Sequence, residues 1–226
     1  MHIALRNVTV GVPGRTLLRG VELEAPPGAA IVVTGPTGAG RTSLLKVVAG
    51  LLPPAGGTVL HDGESLADLP AARAQAVRRR IGFVFEDAAL WANTSLLGNL
   101  ELPLRARHPE LDAAARRRRI EAVLAELDWS LDLAQRPAAL SPGEQLLLGF
   151  LRAVLPGPEV LILDDTPARL DPQRRAALLE RLTALRAGGT TVIVGVPDPA
   201  LAPLPGAHHR RLAGGRLEEA PGPDTP

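Results

Sequence analysis

Residues 35–43 bring glycines, hydroxyl residues and one cation together at a spacing suited to binding phosphate. The segment follows the pattern G-x-x-x-x-G-K-[ST] at Gly35, Gly40 and Thr42, but Arg41 stands where the pattern has lysine. Glycines let successive backbone N–H groups face phosphate oxygens, and the hydroxyl of Thr42 can ligate Mg²⁺. We therefore expect a nucleotide-phosphate loop made of Gly35, Pro36, Thr37, Gly38, Ala39, Gly40, Arg41, Thr42 and Ser43.

Two acidic residues follow an apolar run later in the chain. Residues 160–163 read as a buried strand, and Asp164 and Asp165 come directly after it. A carboxylate at such a strand end can hold Mg²⁺ through water, and a second one can polarise an attacking water. Acidic turns after strands are common, so the pair gains meaning from the phosphate loop that precedes it. We expect Asp164 to ligate the metal ion and Asp165 to act in catalysis.

Residues 140–145 carry the signals of a helix start. Ser141 is suited to cap the helix, Pro142 fits its first turn, and Glu144 completes a capping box. A purely structural cap explains these residues. The same helix start can also bind a phosphate presented by another subunit, because its N–H groups and dipole favour anions.

The elements around these residues predict an α/β architecture. Residues 30–34 form an apolar, β-branched run before the loop, and Leu44, Leu45, Val47 and Val48 mark a helix after it that Gly50 ends. This order of strand, loop and helix favours phosphate binding over the alternative, a glycine-rich turn without a ligand. Further strands are expected at residues 3–10, 21–25, 58–61, 81–85, 160–163 and 191–194, and helices at 95–102, 112–127, 142–154 and 172–187.

These elements imply one domain with an insertion. We expect a single domain over residues 1–220, with a core of residues 1–87 and 155–220 and a helical subdomain at 88–154. Residues 3–10 and 21–25 form an antiparallel edge joined at Pro13-Gly14. Residues 221–226 are rich in proline and glycine, and we expect them to be disordered.

Composition excludes several classes of protein. The 226 residues are 46% hydrophobic, carry a net charge of +1 and contain no cysteine. This charge gives no reason to expect nucleic-acid binding, and disulfides and cysteine metal sites are excluded. No apolar run approaches about 18 residues and no signal-peptide layout is present, so we expect a cytoplasmic protein without direct membrane insertion. Lys46 is the one lysine among 25 basic residues, so Arg41 can reflect composition as well as function.

With these three segments in order, the chain resembles the nucleotide-binding subunit of ATP-binding-cassette (ABC) transporters from about residue 3 to residue 218. The resemblance implies a P-loop NTPase (RecA-like) core. It also implies binding of ATP and Mg²⁺, the metal being held by Thr42 and Asp164. The partners it implies are an integral-membrane permease and a second cassette, in a homodimer or in a heterodimer with another ABC subunit. The subunit would then lie peripherally on the inner face of the cell membrane.

The resemblance also assigns the remaining site residues. Ser141, Gly143 and Glu144 match the signature motif, which contacts the γ-phosphate bound to the opposite subunit of a head-to-tail dimer. Glu86 falls at the position of the Q-loop glutamine and is a second catalytic candidate beside Asp165. Asp171 matches the D-loop.

Several positions depart from the family's pattern, and together they predict slow or impaired hydrolysis. The departures are Val12 for the adenine-stacking aromatic, Arg41 for lysine, Glu86 for glutamine, Pro142 for glycine, Asp165 for glutamate and Pro197 for the switch histidine. Asp165 is one methylene shorter than glutamate, which sets its carboxylate about 1.5 Å back. A misplacement of about 1 Å can cost on the order of 10²-fold in rate. Binding of nucleotide survives these changes better than turnover.

Three functions remain compatible with the sequence. The first is the ATP-binding subunit of a transporter, and the second is a non-hydrolysing regulatory or structural cassette that pairs with an intact homologue. The third is a P-loop protein without a transporter partner, which the signature segment disfavours. The segments 87–90 and 99–104 are similar to those of Mla-type phospholipid-transport ATPases. Leu90, Trp91, Leu96 and Leu97 can belong either to a permease-binding surface or to the core of the helical insertion.

Overall fold

The computed structural model describes residues 1–12, 14–127 and 129–222, and it leaves out the side chain of Val12. The strands are β1 (Ile3–Val12), β2 (Arg15–Ala25), β3 (Ala30–Thr34), β4 (Gly56–His61), β5 (Glu64–Ser65), β6 (Ile81–Val84), β7 (Val160–Asp164), β8 (Thr191–Gly195), β9 (His208–Ala213) and β10 (Arg216–Glu219). The helices are α1 (Arg41–Val48), α2 (Ala71–Arg78), α3 (Leu96–Arg107), α4 (Ala113–Glu126), α5 (Pro142–Val154) and α6 (Pro172–Ala187). This α/β architecture confirms the expected fold class.

Four strands form the antiparallel sheet in the order β2-β1-β4-β5. β1 and β2 pair from Ile3 opposite Ala25 to Val12 opposite Arg15, which confirms the expected edge. β2 begins at Arg15 rather than at residue 21. The polar residues at the start of β2 hide the alternation of apolar and polar residues that marks a strand. The pairing of β2 with β1 is also irregular between Leu5 and Gly11 of β1.

Six strands form the second sheet in the order β10-β9-β3-β8-β7-β6. All neighbours pair in parallel except β9 and β10, which form an antiparallel hairpin at the edge. Residues of β3, β7 and β8 are buried throughout, in agreement with their continuous apolar sequence. β9 and β10 were not expected, because histidines, arginines and glutamates give them no strand-like pattern.

Helices α3, α4 and α5 lie between β6 and β7 in the chain, where helical segments were predicted. α5 and α6 have the bounds that the sequence indicates, and α3 continues through Pro103 to Arg107. α2 was missed, since its eight residues show little periodicity. The division into a core and a helical subdomain stays a prediction. Of the tail expected to be disordered, residues 223–226 lie outside the described residues.

Two apolar cores cover the two faces of the parallel sheet. Alternate residues of β3 point to opposite sides: Val32 joins the core formed with α3, α5 and α6, whereas Ile31 and Val33 join the core formed with α1 and the antiparallel sheet. Because both faces are buried, the strands are fixed in register. Because β3, β6, β7 and β8 run parallel, their carboxyl ends meet at one edge of the sheet, which is where ligands bind in open α/β folds.

Candidate functional site

The carboxyl edge of the parallel sheet gathers the phosphate loop, Asp164, Asp165 and Glu86, whereas the other predicted residues lie at the starts of α5 and α6. β3 leads into the loop of residues 35–40, β7 ends at Asp164, and β6 leads towards Glu86. β8 lies between β3 and β7, with Gly195 opposite Asp164. The neighbouring strand order therefore brings distant sequence positions into one site.

The phosphate loop depends on glycine at three positions. Gly35, Gly38 and Gly40 have φ values of 152°, 80° and 97°, a region that side-chain-bearing residues rarely adopt. A Cβ at Gly35 would also lie 2.9 Å from the Cβ of Leu212. Gly40 precedes α1 without a side-chain cap, so the helix begins with N–H groups that an anion can satisfy.

Arg41 lies buried at the start of α1, with 8% of its surface exposed. Its Nη1 donates to the carbonyl of Gly35 and, at 3.1 Å, to that of Pro36. Its Nη2 donates to both carboxylate oxygens of Asp165, at 3.0 and 2.8 Å. The cation of the loop is thus joined to the catalytic candidate that follows β7.

Asp165 is held by its backbone as well as by Arg41. Its φ is 51°, in the left-handed region that aspartate tolerates better than most residues. Its N–H donates to the carbonyl of Gly195 at 3.0 Å. The carboxylate is 19% exposed, so it lies at the rim of the site rather than in the core.

Thr42 and Asp164 bring a hydroxyl and a carboxylate together, and both are oxygen ligands that Mg²⁺ accepts. Asp164 is 1% exposed, and its Oδ1 is buried without a hydrogen-bond partner among the described residues. Burial raises the pKa of Asp164, while a hydrogen bond with the Thr42 hydroxyl opposes that shift. An unpaired buried carboxylate oxygen beside a hydroxyl fits a magnesium site that keeps several waters. Within the described ranges, no group of three or more His, Cys, Asp or Glu side chains is arranged to hold a metal ion.

Glu86 lies two residues after β6 and forms an ion pair with Arg169. Both side chains are about half exposed, so water screens the pair. Arg169 belongs to a short 3₁₀ turn, Thr166–Arg169, that directly follows Asp165. Glu86 therefore lies beside the site but is already neutralised by a cation of the same chain.

The start of α5 has the expected capping box. The hydroxyl of Ser141 accepts from the N–H of Glu144 at 3.4 Å, and the carboxylate of Glu144 accepts from the N–H of Ser141 at 2.8 Å. The hydrogen bond from the Ser141 hydroxyl lowers the pKa of Glu144. Ser141 and Pro142 are exposed, and Gly143 is half-buried beside Arg174. The first turn of the helix is free to meet a second molecule.

Asp171 caps α6 and accepts from the N–H of Arg174 at 2.9 Å. This hydrogen bond is the main cause that lowers the pKa of Asp171, and the Arg174 guanidinium adds to it. Nη1 of Arg174 lies 2.9 Å from the Asp171 carboxylate, and Nη2 lies 3.9 Å from Glu144. Arg174 thus links the two segments that the sequence assigned to the subunit interface.

Two further positions, Pro197 and Val12, were expected to depart from the family's pattern. Pro197 and Asp198 are exposed after β8, and Asp198 accepts from the N–H of Ala200 at 2.9 Å. The side chain of Val12 lies outside the described residues. The pairings of Arg169 with Glu86 and of Arg174 with Glu144 were missed, since these partners are far apart in the sequence.

Comparison with known proteins finds similarity to ABC transporter ATP-binding proteins. The sequence profile of the ABC transporter family matches residues 18–168. An uncharacterised ABC transporter ATP-binding protein, y4fO of Sinorhizobium fredii, is 34% identical over 85% of this chain and 55% of its own length. The methionine import ATP-binding protein MetN of Thermobifida fusca is 36% identical over 78% of this chain and 55% of its own. The chain thus spans about half the length of the curated relatives it matches.

Solved structures give the same result for the fold. The dimeric structure of MJ0796, a bacterial ABC transporter cassette, is similar with a TM-score of 0.88 at 28% identity, covering 97% of this chain and 99% of that one. A structure of that cassette in a post-hydrolysis state, bound to ADP and Pi, also has a TM-score of 0.88, at 27% identity. Among the residues that our structure describes, no helix has the length and apolar character to cross a membrane.

Proposed function

Since this chain belongs to the ABC transporter family of ATP-binding cassettes, we propose that it is the ATP-binding subunit of a membrane transporter. In this proposal it binds Mg-ATP at the interface of a head-to-tail dimer and acts on a separate permease. Its own hydrolysis is slow. The observation that carries the proposal is the joining of Arg41, in an otherwise complete phosphate loop, to Asp165.

Nucleotide binding rests on the loop and on the start of α1. The three positive-φ glycines give the loop its curvature, and α1 begins without a side-chain cap, which leaves N–H groups for an anion to bind. Arg41 supplies the cation that phosphate oxygens require. Its planar guanidinium is bulkier than an ammonium group, so it holds phosphate with a different geometry than lysine.

Thr42 and Asp164 are the residues that would hold Mg²⁺. A bound Mg²⁺ neutralises phosphate charge and orients the terminal phosphate. The protein contributes a hydroxyl from α1 and the buried, unpaired oxygen of Asp164 from β7. Burial makes the charge of Asp164 costly, so binding of a Mg²⁺ ion would offset part of that cost.

Slow hydrolysis follows from the position of the Asp165 carboxylate. Both of its oxygens accept from one guanidinium nitrogen, in a partly buried pair. A carboxylate engaged in this way must leave Arg41 before it can polarise a water near the terminal phosphate. Pro197 adds no hydrogen-bonding side chain on the neighbouring loop, and Glu86 is paired with Arg169.

A permease is expected to dock beside α3 and α5. A groove of about 310 Å³ lies there, and Phe83, Phe85, Trp91 and Pro103 contribute apolar surface to it. Trp91 is 45% exposed, whereas Leu96 is fully buried in the core. Of the two roles that the sequence left open, Leu96 therefore serves the core, and Trp91 is available to a partner.

A second candidate function is a cassette that completes the site of an intact homologue. The observation that favours it is the well-formed capping box of Ser141 and Glu144 at an exposed helix start. In a head-to-tail dimer this helix start acts on the nucleotide of the other subunit, and that role does not require Asp165. The methionine importers among the relatives give no support to the phospholipid expectation.

Two measurements on the purified chain test the proposal. Equilibrium binding of Mg-ATP should be saturable in the wild type. It should be at least about tenfold weaker in Arg41→Ala, because the phosphates lose their cation. A factor of ten corresponds to about 1.4 kcal/mol. Phosphate release should remain near the rate of Asp165→Asn, both for the chain alone and with its permease. Absence of Mg-ATP binding, or rapid release that Asp165→Asn abolishes, would contradict the proposal.

A further inference from the structure

Arg152 of α5 is buried, with 8% of its surface exposed, and none of the roles above uses it. Its Nη2 donates to the carbonyl of Ala88 at 2.7 Å, and its Nη1 donates to the carbonyl of Ala89 at 2.6 Å. A buried guanidinium is costly to desolvate, and charge-assisted hydrogen bonds to carbonyls are what compensate it. The fork of one arginine thus fixes two consecutive peptide groups.

The peptide groups that Arg152 holds are strained. Ala88 and Ala89 have φ values of 61° and 44°, in the left-handed region that alanine rarely adopts. Such a conformation persists only where its surroundings enforce it. Gly149, one turn before Arg152 on α5, contributes to this: a Cβ there would lie 3.2 Å from the Ala88 carbonyl oxygen and 3.3 Å from its Cα. One face of α5 therefore fits the turn closely and binds it.

The strained turn connects two functional surfaces. Three residues before Ala89, Glu86 pairs with Arg169 beside Asp165 at the nucleotide edge. Two residues after Ala89, the ring of Trp91 lies under the guanidinium of Arg152, 5.0 Å from ring centroid to Cζ. That distance is within the range of a cation–π contact. Arg152 thus contacts both the turn and the exposed aromatic ring.

Trp91 is also held through its backbone. The buried Asn99 of α3 accepts from the N–H of Trp91 at 2.9 Å and donates to its carbonyl at 3.2 Å. Asn99 is fully buried, whereas Trp91 is 45% exposed. Two buried polar side chains from different helices therefore fix one exposed tryptophan at the rim of the docking groove. A tryptophan presented rigidly is the kind of residue that dominates protein interfaces.

We propose that Arg152 is a positioning residue that couples the nucleotide edge, through the Ala88–Ala89 turn, to the orientation of Trp91 at the groove. The proposal rests on the proposed nucleotide-binding function. It adds the residue that transmits a change at Glu86 to the surface that meets the partner. Because Arg152 binds the middle of the short segment from Glu86 to Trp91, a displacement of Glu86 shifts the turn and with it the contact between the guanidinium and the Trp91 ring.

Tryptophan fluorescence tests the coupling directly. The chain has two tryptophans, so Trp129→Phe leaves Trp91 as the reporter. In this background, saturating Mg-ATP should change the emission of Trp91. Arg152→Gln should reduce the amplitude of that change at least twofold, while the Kd for Mg-ATP stays within about threefold. Arg152→Lys keeps the charge but cannot bridge both carbonyls, and it should rescue the amplitude only in part.

An arm without nucleotide separates this proposal from the proposed function. In the apo protein, Arg152→Gln should raise acrylamide quenching of Trp91 about twofold, since the ring loses its guanidinium cover. Arg186→Gln is the matched control. Arg186 also donates from a helix to two loop carbonyls, of Gly28 and Pro205, but away from the groove, and its loss should leave both readouts unchanged.

The outcomes distinguish the two claims. Unchanged apo quenching in Arg152→Gln, or a Mg-ATP response that persists in it, would overturn the coupling role while leaving nucleotide binding intact. Equal losses in Arg152→Gln and Arg186→Gln would assign the effect to general stability and would also overturn it. A chain that binds no Mg-ATP would overturn the proposed function and the coupling with it, whereas the apo quenching would still report whether Arg152 holds Trp91.

Discussion

Nη2 of Arg41 donates to both carboxylate oxygens of Asp165, at 3.0 and 2.8 Å, although 124 positions separate the two residues in the chain. Compared with the family's pattern, the first side chain is longer than lysine and the second is shorter than glutamate. The two departures meet in one ion pair. This pair joins the phosphate loop to the carboxylate that would polarise water.

Restoring lysine alone should not restore hydrolysis. Arg41→Lys removes the nitrogen that binds both oxygens of Asp165 but leaves a carboxylate one methylene short of its usual position. We expect Mg-ATP affinity to rise by less than about tenfold, which is about 1.4 kcal/mol. Phosphate release should stay at background. A large recovery of turnover in the single variant would show that Arg41 by itself silences the site.

Thr42→Val should weaken nucleotide binding only when Mg²⁺ is present. Valine matches threonine in shape but cannot ligate the ion. We expect the Kd for Mg-ATP to rise by about tenfold, corresponding to about 1.4 kcal/mol. Isothermal titration with Mg²⁺ and with EDTA measures both conditions. An equal effect in EDTA would remove Thr42 from the metal site.

Ser141→Ala should affect both stability and dimer formation. Loss of an N-cap costs about 1 kcal/mol, or a decrease in Tm of about 2–4 °C for a chain of this size. Ser95→Ala is the matched control, because Ser95 caps α3 by accepting from the N–H of Gly98 at 3.1 Å. Both variants should lose similar stability in thermal melts. Nucleotide-driven dimerisation, followed by light scattering, should weaken in Ser141→Ala alone, and equal dimerisation would contradict a role in the second subunit's site.

His61 should make the protein less stable in mild acid. It is 2% exposed, and its Nε2 hydrogen-bonds with the carbonyl of Val48 at 2.9 Å. Burial lowers its pKa from the ordinary value of 6.5, with Arg78 and Arg80 acting in the same direction. The unfolded chain therefore takes up the proton first. The stability provided by the neutral ring is complete above about pH 6.5 and is lost as pH falls towards the folded pKa.

Denaturant melts between pH 8 and pH 5 measure this effect. One proton changes the free energy of unfolding by at most about 1.4 kcal/mol per pH unit. His61→Gln should remove that part of the slope, and its stability at pH 8 gives the baseline cost of the substitution. An identical slope in both proteins would show that His61 does not contribute.

Much of the fold was accessible from the sequence, for identifiable reasons. The buried strands β3, β7 and β8 are continuous apolar runs, and α5 and α6 carry their own caps at Ser141 and Asp171. Such signals are local and need no tertiary context. β9, β10 and α2 carry charged residues without periodicity, so only their packing reveals them.

The residues of the candidate site are a prediction from spacing, whereas their contacts come from the structure alone. The loop glycines, Thr42 and the two acids after β7 follow from spacing. The pairing of Arg41 with Asp165 depends instead on strand order, which places β7 one strand away from β3. The hydrogen bonds from Arg152 to the carbonyls of Ala88 and Ala89 depend on how closely α5 approaches that turn. Sequence periodicity does not reveal this distance.

The chemical identity of bound nucleotide tests the central claim most directly. The purified chain is incubated with Mg-ATP for a period much longer than the turnover time of an active cassette, and the nucleotide retained on the protein is then separated and identified. We predict that the protein retains nucleotide and that most of it is still ATP. Retention of ADP with stoichiometric or greater release of phosphate would contradict slow hydrolysis, and retention of no nucleotide would contradict the binding function itself.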